Sequence, residues 1–128
     1  MCMQQQLISD DGHARVVCER CAIADRPHTR LRGLLGRTGL ETGEGVLLRP
    51  TPSVHTCFMR FPIDVVFLDA GLRVLSIRPA LRPWRFAGRR GARSVLELAA
   101  GEAARRGIRP GTSLKICAGP RAGNGDGD

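Results

Sequence analysis

Short apolar stretches broken by Gly, Pro and Asp recur along the chain, and most are too short for helices. Residues 14–24 carry Val16, Val17, Cys18 and Ile23 and predict a first strand, after a polar lead over 1–11 that is expected to fray. Asp25 is placed to cap a short helix, with Pro27 in its first turn. Leu31, Leu34 and Leu35 give that helix one buried face, and Gly36 and Gly39 close it. Further strands are predicted over 45–48, 54–59, 61–68 and 72–77. The link Asp69-Ala70-Gly71 suits a type I turn with glycine in the left-handed position, so 61–68 and 72–77 form a hairpin. Residues 63–68 are apolar on both faces, which marks a central strand covered on both sides. Residues 78–93 are expected to be a long loop rich in Pro and Arg, followed by a strand over 94–99. A second short helix over 101–106, closed by Gly107, leads to a last strand over 113–118.

Strands outnumber helices, and neighbouring strands are joined by short links. The expected fold class is α+β: β-rich, a mostly antiparallel curved sheet or small barrel with two short helices. Strands do not alternate with long helices, which argues against a doubly wound nucleotide-binding fold. One domain is expected over 1–118, and the Gly-rich residues 119–128, which lack an apolar anchor, are expected to be a disordered tail.

Composition narrows this further. At 128 residues the chain suits one domain, and 42% hydrophobic residues exclude a disordered polymer. No apolar run approaches the roughly 18–20 residues of a membrane span. No basic start followed by an apolar stretch opens the chain, so a cytoplasmic location is expected. Basic residues number 20 against 12 acidic, a net charge of +8, and Lys115 is the single lysine. Such an Arg bias with many Gly and Ala accords with a GC-rich genome. Arginine also binds carboxylate and phosphate bidentately, which keeps an anionic ligand or partner in view.

The odd cysteine count (Cys2, Cys18, Cys21, Cys57 and Cys117) and the missing secretory signal point to reduced thiols. Cys18-Glu19-Arg20-Cys21 has CxxC spacing, but residues three apart on a strand point to opposite faces. No second pair completes a zinc set. Buried structural thiols are therefore expected, with no metal and no cofactor.

The richest stretch is His55-Thr56-Cys57-Phe58-Met59-Arg60-Phe61-Pro62-Ile63-Asp64. Strand alternation would put His55, Cys57 and Met59 on one face. Asp64, beside Val66 and Leu68, needs a partner such as Arg60, Arg37 or backbone N–H groups. Glu97, between Val95 and Ala99, poses the same demand. If Asp64 and Glu97 lie on neighbouring strands, the two acids with His55 could bind a cation or do acid–base work. His55, Met59, Arg60, Asp64, Glu97 and Arg37 are thus the candidate ligand-binding residues.

A second cluster holds Arg78, Arg82, Arg85, Arg89, Arg90 and Arg93 with Trp84 and Phe86 between them. Interleaved basic and aromatic residues are a feature of single-stranded nucleic acid binding. Two aromatics are thin support, so the expectation is a solvated basic loop with Trp84 folded onto the sheet. Nucleic acid binding is then weak and non-specific at most, and salt-sensitive.

Several segments together resemble a prokaryotic family known as domain of unknown function 192. They are Gly33-Leu34-Leu35-Gly36-Arg37, Gly43-Glu44-Gly45-Val46-Leu47-Leu48, the stretch from His55 through Asp69, Val95 through Gly101, and Gly107 through Leu114. The resemblance covers roughly residues 15–117. It implies a compact, β-rich α+β domain, with no established activity and no catalytic residues to transfer. Many members of that family carry an export signal or membrane anchor ahead of the domain, and none is visible here.

Three functions are compatible with these features. The favoured one is a small-molecule or short-polymer binding domain with a polar pocket in the His55–Asp64 stretch. The alternatives are an interaction module presenting the Arg-rich loop to an anionic protein or nucleic acid, and an enzyme using Asp64 or Glu97 as acid or base.

Overall fold

The computed structural model describes residues 4–9, 15–24, 39–57 and 59–118. Among the described residues, nine strands are formed by β1 (Gln4–Ser9), β2 (Val16–Ala24), β3 (Glu44–Leu48), β4 (Ser53–His55), β5 (Ile63–Leu68), β6 (Val74–Leu81), β7 (Phe86–Gly88), β8 (Ser94–Ala99) and β9 (Leu114–Ala118). One short helix, α1 (Glu102–Arg105), lies between β8 and β9. Seven strands form one sheet in the order β6-β5-β8-β3-β2-β1-β9, and β4 pairs with β7 in a separate two-stranded ribbon.

The architecture is strand-rich α+β, with a mixed sheet. The β2–β3 ladder is parallel, and the other ladders among the described residues are antiparallel. The sheet does not close into a barrel. Among the described residues its edges are joined at an isolated bridge, Arg73 to Ser113, with Val74 N–H donating to Thr112 O at 2.8 Å and Leu114 N–H to Leu72 O at 2.9 Å. The expected helix over 25–36 lies outside the described residues, as does the tail over 119–128.

The apolar pattern places several elements closely. The strand expected over 94–99 matches β8, and all six residues of β5 are buried, as a doubly covered strand requires. Other expectations are corrected. Residues 4–9 are not frayed: β1 hydrogen-bonds to β2 and β9 on either side and buries Leu7 completely. The strand expected over 54–59 stops at His55, because Met59 N–H donates to Thr56 O at 3.1 Å and turns the chain. The segment expected as a loop over 78–93 contains the end of β6 and all of β7. In the β5–β6 turn the left-handed residue is Leu72, at φ 65°, not Gly71. The Asp69 carboxylate holds that turn by accepting from Gly71 N–H and Arg73 N–H, both at 2.9 Å.

Two apolar layers flank the sheet. On one face Leu7, Cys18, Cys21, Leu47, Val66, Leu68, Leu96 and Leu98 pack with Ala103, Ile108 and Leu114. On the other, Val46, Leu48, Ile63, Val65, Phe67 and Val95 pack with Met59, Leu81 and Ala87. The β4–β7 ribbon covers part of this second layer, turning Val54 and Ala87 inward while His55 and Phe86 are exposed.

Candidate functional site

Asp64 and Glu97 are on adjacent strands, as expected, but do not share a site. Asp64 pairs across the ladder with Leu98, and Glu97 with Val65. Directly opposed residues share a face, so Asp64 lies on the Leu98 face and Glu97 on the Val65 face. The sheet itself separates the two carboxylates.

Asp64 is 1% exposed and its carboxylate is held by backbone. Oδ1 accepts from Ala80 N–H at 2.9 Å, and Oδ2 accepts from Gly101 N–H at 3.0 Å and Ala103 N–H at 2.9 Å. Of the partners expected for it, the described residues supply the backbone amides rather than Arg60. The donors come from irregular backbone. In the β5–β6 ladder, Ile63 pairs with Leu81 but Val65 pairs with Arg78, so Pro79 and Ala80 bulge opposite Asp64. Gly101, at φ 92°, opens α1 and has no side-chain cap of its own. Asp64 therefore fastens β5 to the β6 bulge and to the start of α1.

Glu97 is 3% exposed, among Val46, Val65 and Val95. Among the described residues no hydrogen-bond donor or cation reaches its carboxyl. Burial pushes its pKa up to about 8. Met59 is buried in the same apolar layer. His55 and Arg60 are exposed, so His55, Cys57 and Met59 do not share one face. Arg37 lies outside the described residues. The five described candidates, His55, Met59, Arg60, Asp64 and Glu97, are thus dispersed between two sheet faces and the surface.

The CxxC also departs from regular alternation. Leu7 pairs with Cys18 and Gln5 pairs with Cys21, so three residues of β2 span two of β1. This bulge brings both thiols to the same face, where each is fully buried. The Cys21 thiol interacts with the Cys18 sulfur, lowering the Cys18 pKa, while that contact and burial raise that of Cys21. Cys18 Sγ also donates to Gly43 O at 3.6 Å. Both thiols are packed into the core, and no group of three or more metal-ligating side chains forms among the described residues.

What the fold does bring together is the β4–β7 ribbon and the turn leading into β7. Buried Thr56 anchors that turn. Thr56 Oγ1 donates to Arg82 O at 2.6 Å and accepts from Arg85 N–H at 2.9 Å. Its backbone O accepts from Trp84 N–H at 3.0 Å, and its N–H donates to Arg85 O at 2.9 Å. Trp84 is held at φ 64°, uncommon for a bulky residue, and is 57% exposed. It does not fold onto the sheet as expected. Phe86 is 75% exposed, and its ring centroid lies 6.0 Å from that of His55 at a 52° tilt. Arg82, Arg85, Arg89 and Arg90 around them are exposed. Residues 45–96 contain nine arginines and two acids, Asp64 and Asp69. Asp64 is buried, which leaves this surface strongly basic. Thr56 was missed as a site residue; a lone hydroxyl between apolar positions was its only sequence signal.

A strand-rich α+β domain with a backbone-clamped aspartate at its centre and a basic, aromatic ribbon on one side is the class these features define. The chain belongs to the DUF192 family of uncharacterized proteins, which matches residues 7–116. It is 36% identical over 87 residues to a UPF0127 protein of Thermococcus sibiricus, a match covering 64% of this chain. The match covers only 56% of that relative's length. The fold is similar to that of a protein of unknown function from Novosphingobium aromaticivorans, with TM-score 0.76 and 25% identity over 88% of this chain and 86% of the other. It is also similar to a candidate transcription regulator of Sinorhizobium meliloti, with TM-score 0.79 and 22% identity over 88% and 93% of the two chains. The second likeness concerns the fold alone.

Proposed function

We propose that this domain is a binding module whose β4–β7 ribbon takes up an anionic partner. The observation that carries the reading is the exposed set Arg82, Arg85, Arg89 and Arg90 around exposed Trp84 and Phe86. Polar residues expected to form a pocket in the His55–Asp64 stretch are instead divided between interior and surface, so the interaction module is preferred over the small-molecule site. Retention on immobilised heparin across a salt gradient tests this. Converting Arg82, Arg85, Arg89 and Arg90 together to Gln should lower the eluting salt concentration well below that of a charge-matched control carrying Arg20→Gln, Arg105→Gln, Arg109→Gln and Lys115→Gln. Equal elution of the two variants would mean that net charge, not the ribbon, governs binding.

A further inference from the structure

The basic surface alone fits any polyanion. Its aromatic content narrows the class. An acidic protein or a sulfated sugar offers carboxylates or sulfates to arginine but no stacked rings. Single-stranded nucleic acid offers phosphates and unpaired bases together, and bases stack on exposed aromatic side chains with little regard to sequence. Double-stranded nucleic acid keeps its bases stacked within the helix, away from a surface ring. The ribbon meets both demands in one short stretch: Trp84 and Phe86 are two residues apart, with Arg82, Arg85, Arg89 and Arg90 on either side. His55 lies across the ribbon from Phe86, its registered partner, and adds a third ring.

The placement of Trp84 supports this use. A large apolar side chain on the surface gains little by burial, and a bulky residue at positive φ is strained. The turn keeps it there because Thr56 binds Arg82, Trp84 and Arg85 through side chain and backbone at once. The buried threonine thus acts as a positioning residue for the exposed ring. The neighbouring Arg85 Nη1 donates to Trp84 O at 3.3 Å, which keeps a guanidinium close to the turn.

We infer that the ribbon binds single-stranded nucleic acid, with bases stacking on Trp84 and Phe86 beside His55 and phosphates held by Arg82, Arg85, Arg89 and Arg90. This inference rests on the anionic-partner reading and names its partner. Binding is expected to be sequence-tolerant, with micromolar affinity of about 10⁻⁴–10⁻⁶ M near physiological salt.

The chain contains one tryptophan and no tyrosine, so its intrinsic emission reports Trp84. The full-length protein is titrated with an oligo-dT of about 12 nucleotides, within the usual range of single-strand site sizes, and with a heparin fragment of similar charge. A matching duplex is the third probe, and anisotropy of labelled probe measures affinity independently of the emission. Oligo-dT should quench Trp84, whereas heparin should bind without quenching. Trp84→Ala and Phe86→Ala should each weaken oligo-dT binding about tenfold and heparin binding less than about twofold. Phe86→Ala keeps the reporter, and circular dichroism of both variants confirms that they fold. If both polymers bind, but the aromatic variants affect them equally and no quenching occurs, the nucleic acid inference is overturned and the anionic surface stands. Duplex binding as tight as oligo-dT, with the same quenching, overturns the single-strand assignment. If neither polymer binds, or the four Arg→Gln changes leave binding intact, the anionic-partner reading falls and takes this inference with it.

Discussion

Asp64 of β5 lies opposite Leu98 of β8, and Glu97 of β8 lies opposite Val65 of β5, so one step along a single ladder separates the two acids. Both are almost fully buried. Around Asp64 the backbone is irregular, and the β6 bulge and the start of α1 each release N–H groups that point at the carboxylate. Around Glu97 the ladders to β3 and β5 run without a shift in register. A regular sheet uses its own N–H groups in the ladder and leaves none spare for a side chain. The comparison shows that a buried acid in a sheet is accommodated where the strands depart from regularity. Where they do not, the acid keeps its proton.

The largest expected effect is on the Glu97 side. Glu97 titrates at about 8 in the fold against an ordinary value of 4.5. The folded protein therefore holds a proton that the unfolded chain releases between those values. Stability should be greatest below about pH 4.5 as far as this group is concerned. It should fall as pH rises toward about 8, by about 1.4 kcal/mol per pH unit at the steepest. Denaturant melts between about pH 5 and pH 8 should show a loss of several kcal/mol, and Glu97→Gln, which carries no proton to lose, should flatten the slope. A wild-type slope that survives the substitution would assign it to another group.

A smaller loss is expected from Asp64→Asn. The amide keeps one acceptor oxygen but turns its single NH₂ group toward backbone N–H on the other side, leaving at least one buried donor unpaired. The cost should be about 2–3 kcal/mol in a chemical melt at neutral pH. Unchanged stability would show that the three backbone bonds are not essential to the fold. Set beside Glu97→Gln, which costs little at acidic pH, this pair of isosteric changes separates a carboxylate that the fold requires from one that it tolerates.

The smallest effect concerns how tightly the Asp64 face is packed. A Cβ on Gly45 would lie 2.8 Å from Cys18 Sγ, 2.8 Å from Leu98 Cδ2 and 3.0 Å from Glu97 O. Gly45→Ala should cost about 1–2 kcal/mol by overpacking. Pairing it with Cys18→Ala should recover part of that loss by freeing the sulfur's space. Additive losses in a double-mutant cycle would mean that Leu98 and the β8 backbone, not Cys18, set the limit.

Much of the fold was legible along the chain, and the reasons are local. β5 and β8 carry continuous apolar runs bounded by turn residues, and α1 is bracketed by Gly101 and Gly107. β1 was not legible, because Gln4, Gln5 and Gln6 give no apolar alternation; it is stabilised as a strand by β2 and β9, which are distant in sequence. β7 was hidden for a similar reason, since three residues among prolines and arginines become a strand only by pairing with β4. Of the candidate site, burial of Asp64 and Glu97 followed from their apolar neighbours. Their separation required the register of β5 against β8.

The sequence by itself determined a strand-rich fold, two acids bound for the interior, and a basic segment interrupted by aromatics, because each depends on residue type and short-range period. Tertiary structure alone decided what those residues meet. Strand alternation predicts that Cys18 and Cys21 diverge, but the bulge against β1 brings them to one face. No periodicity places Thr56 beneath Arg82–Arg85, a contact spanning 26 residues or more that holds Trp84 outward. Bulges and long-range hydrogen bonds carry no local signature, since they arise only when distant segments compete for the same backbone groups.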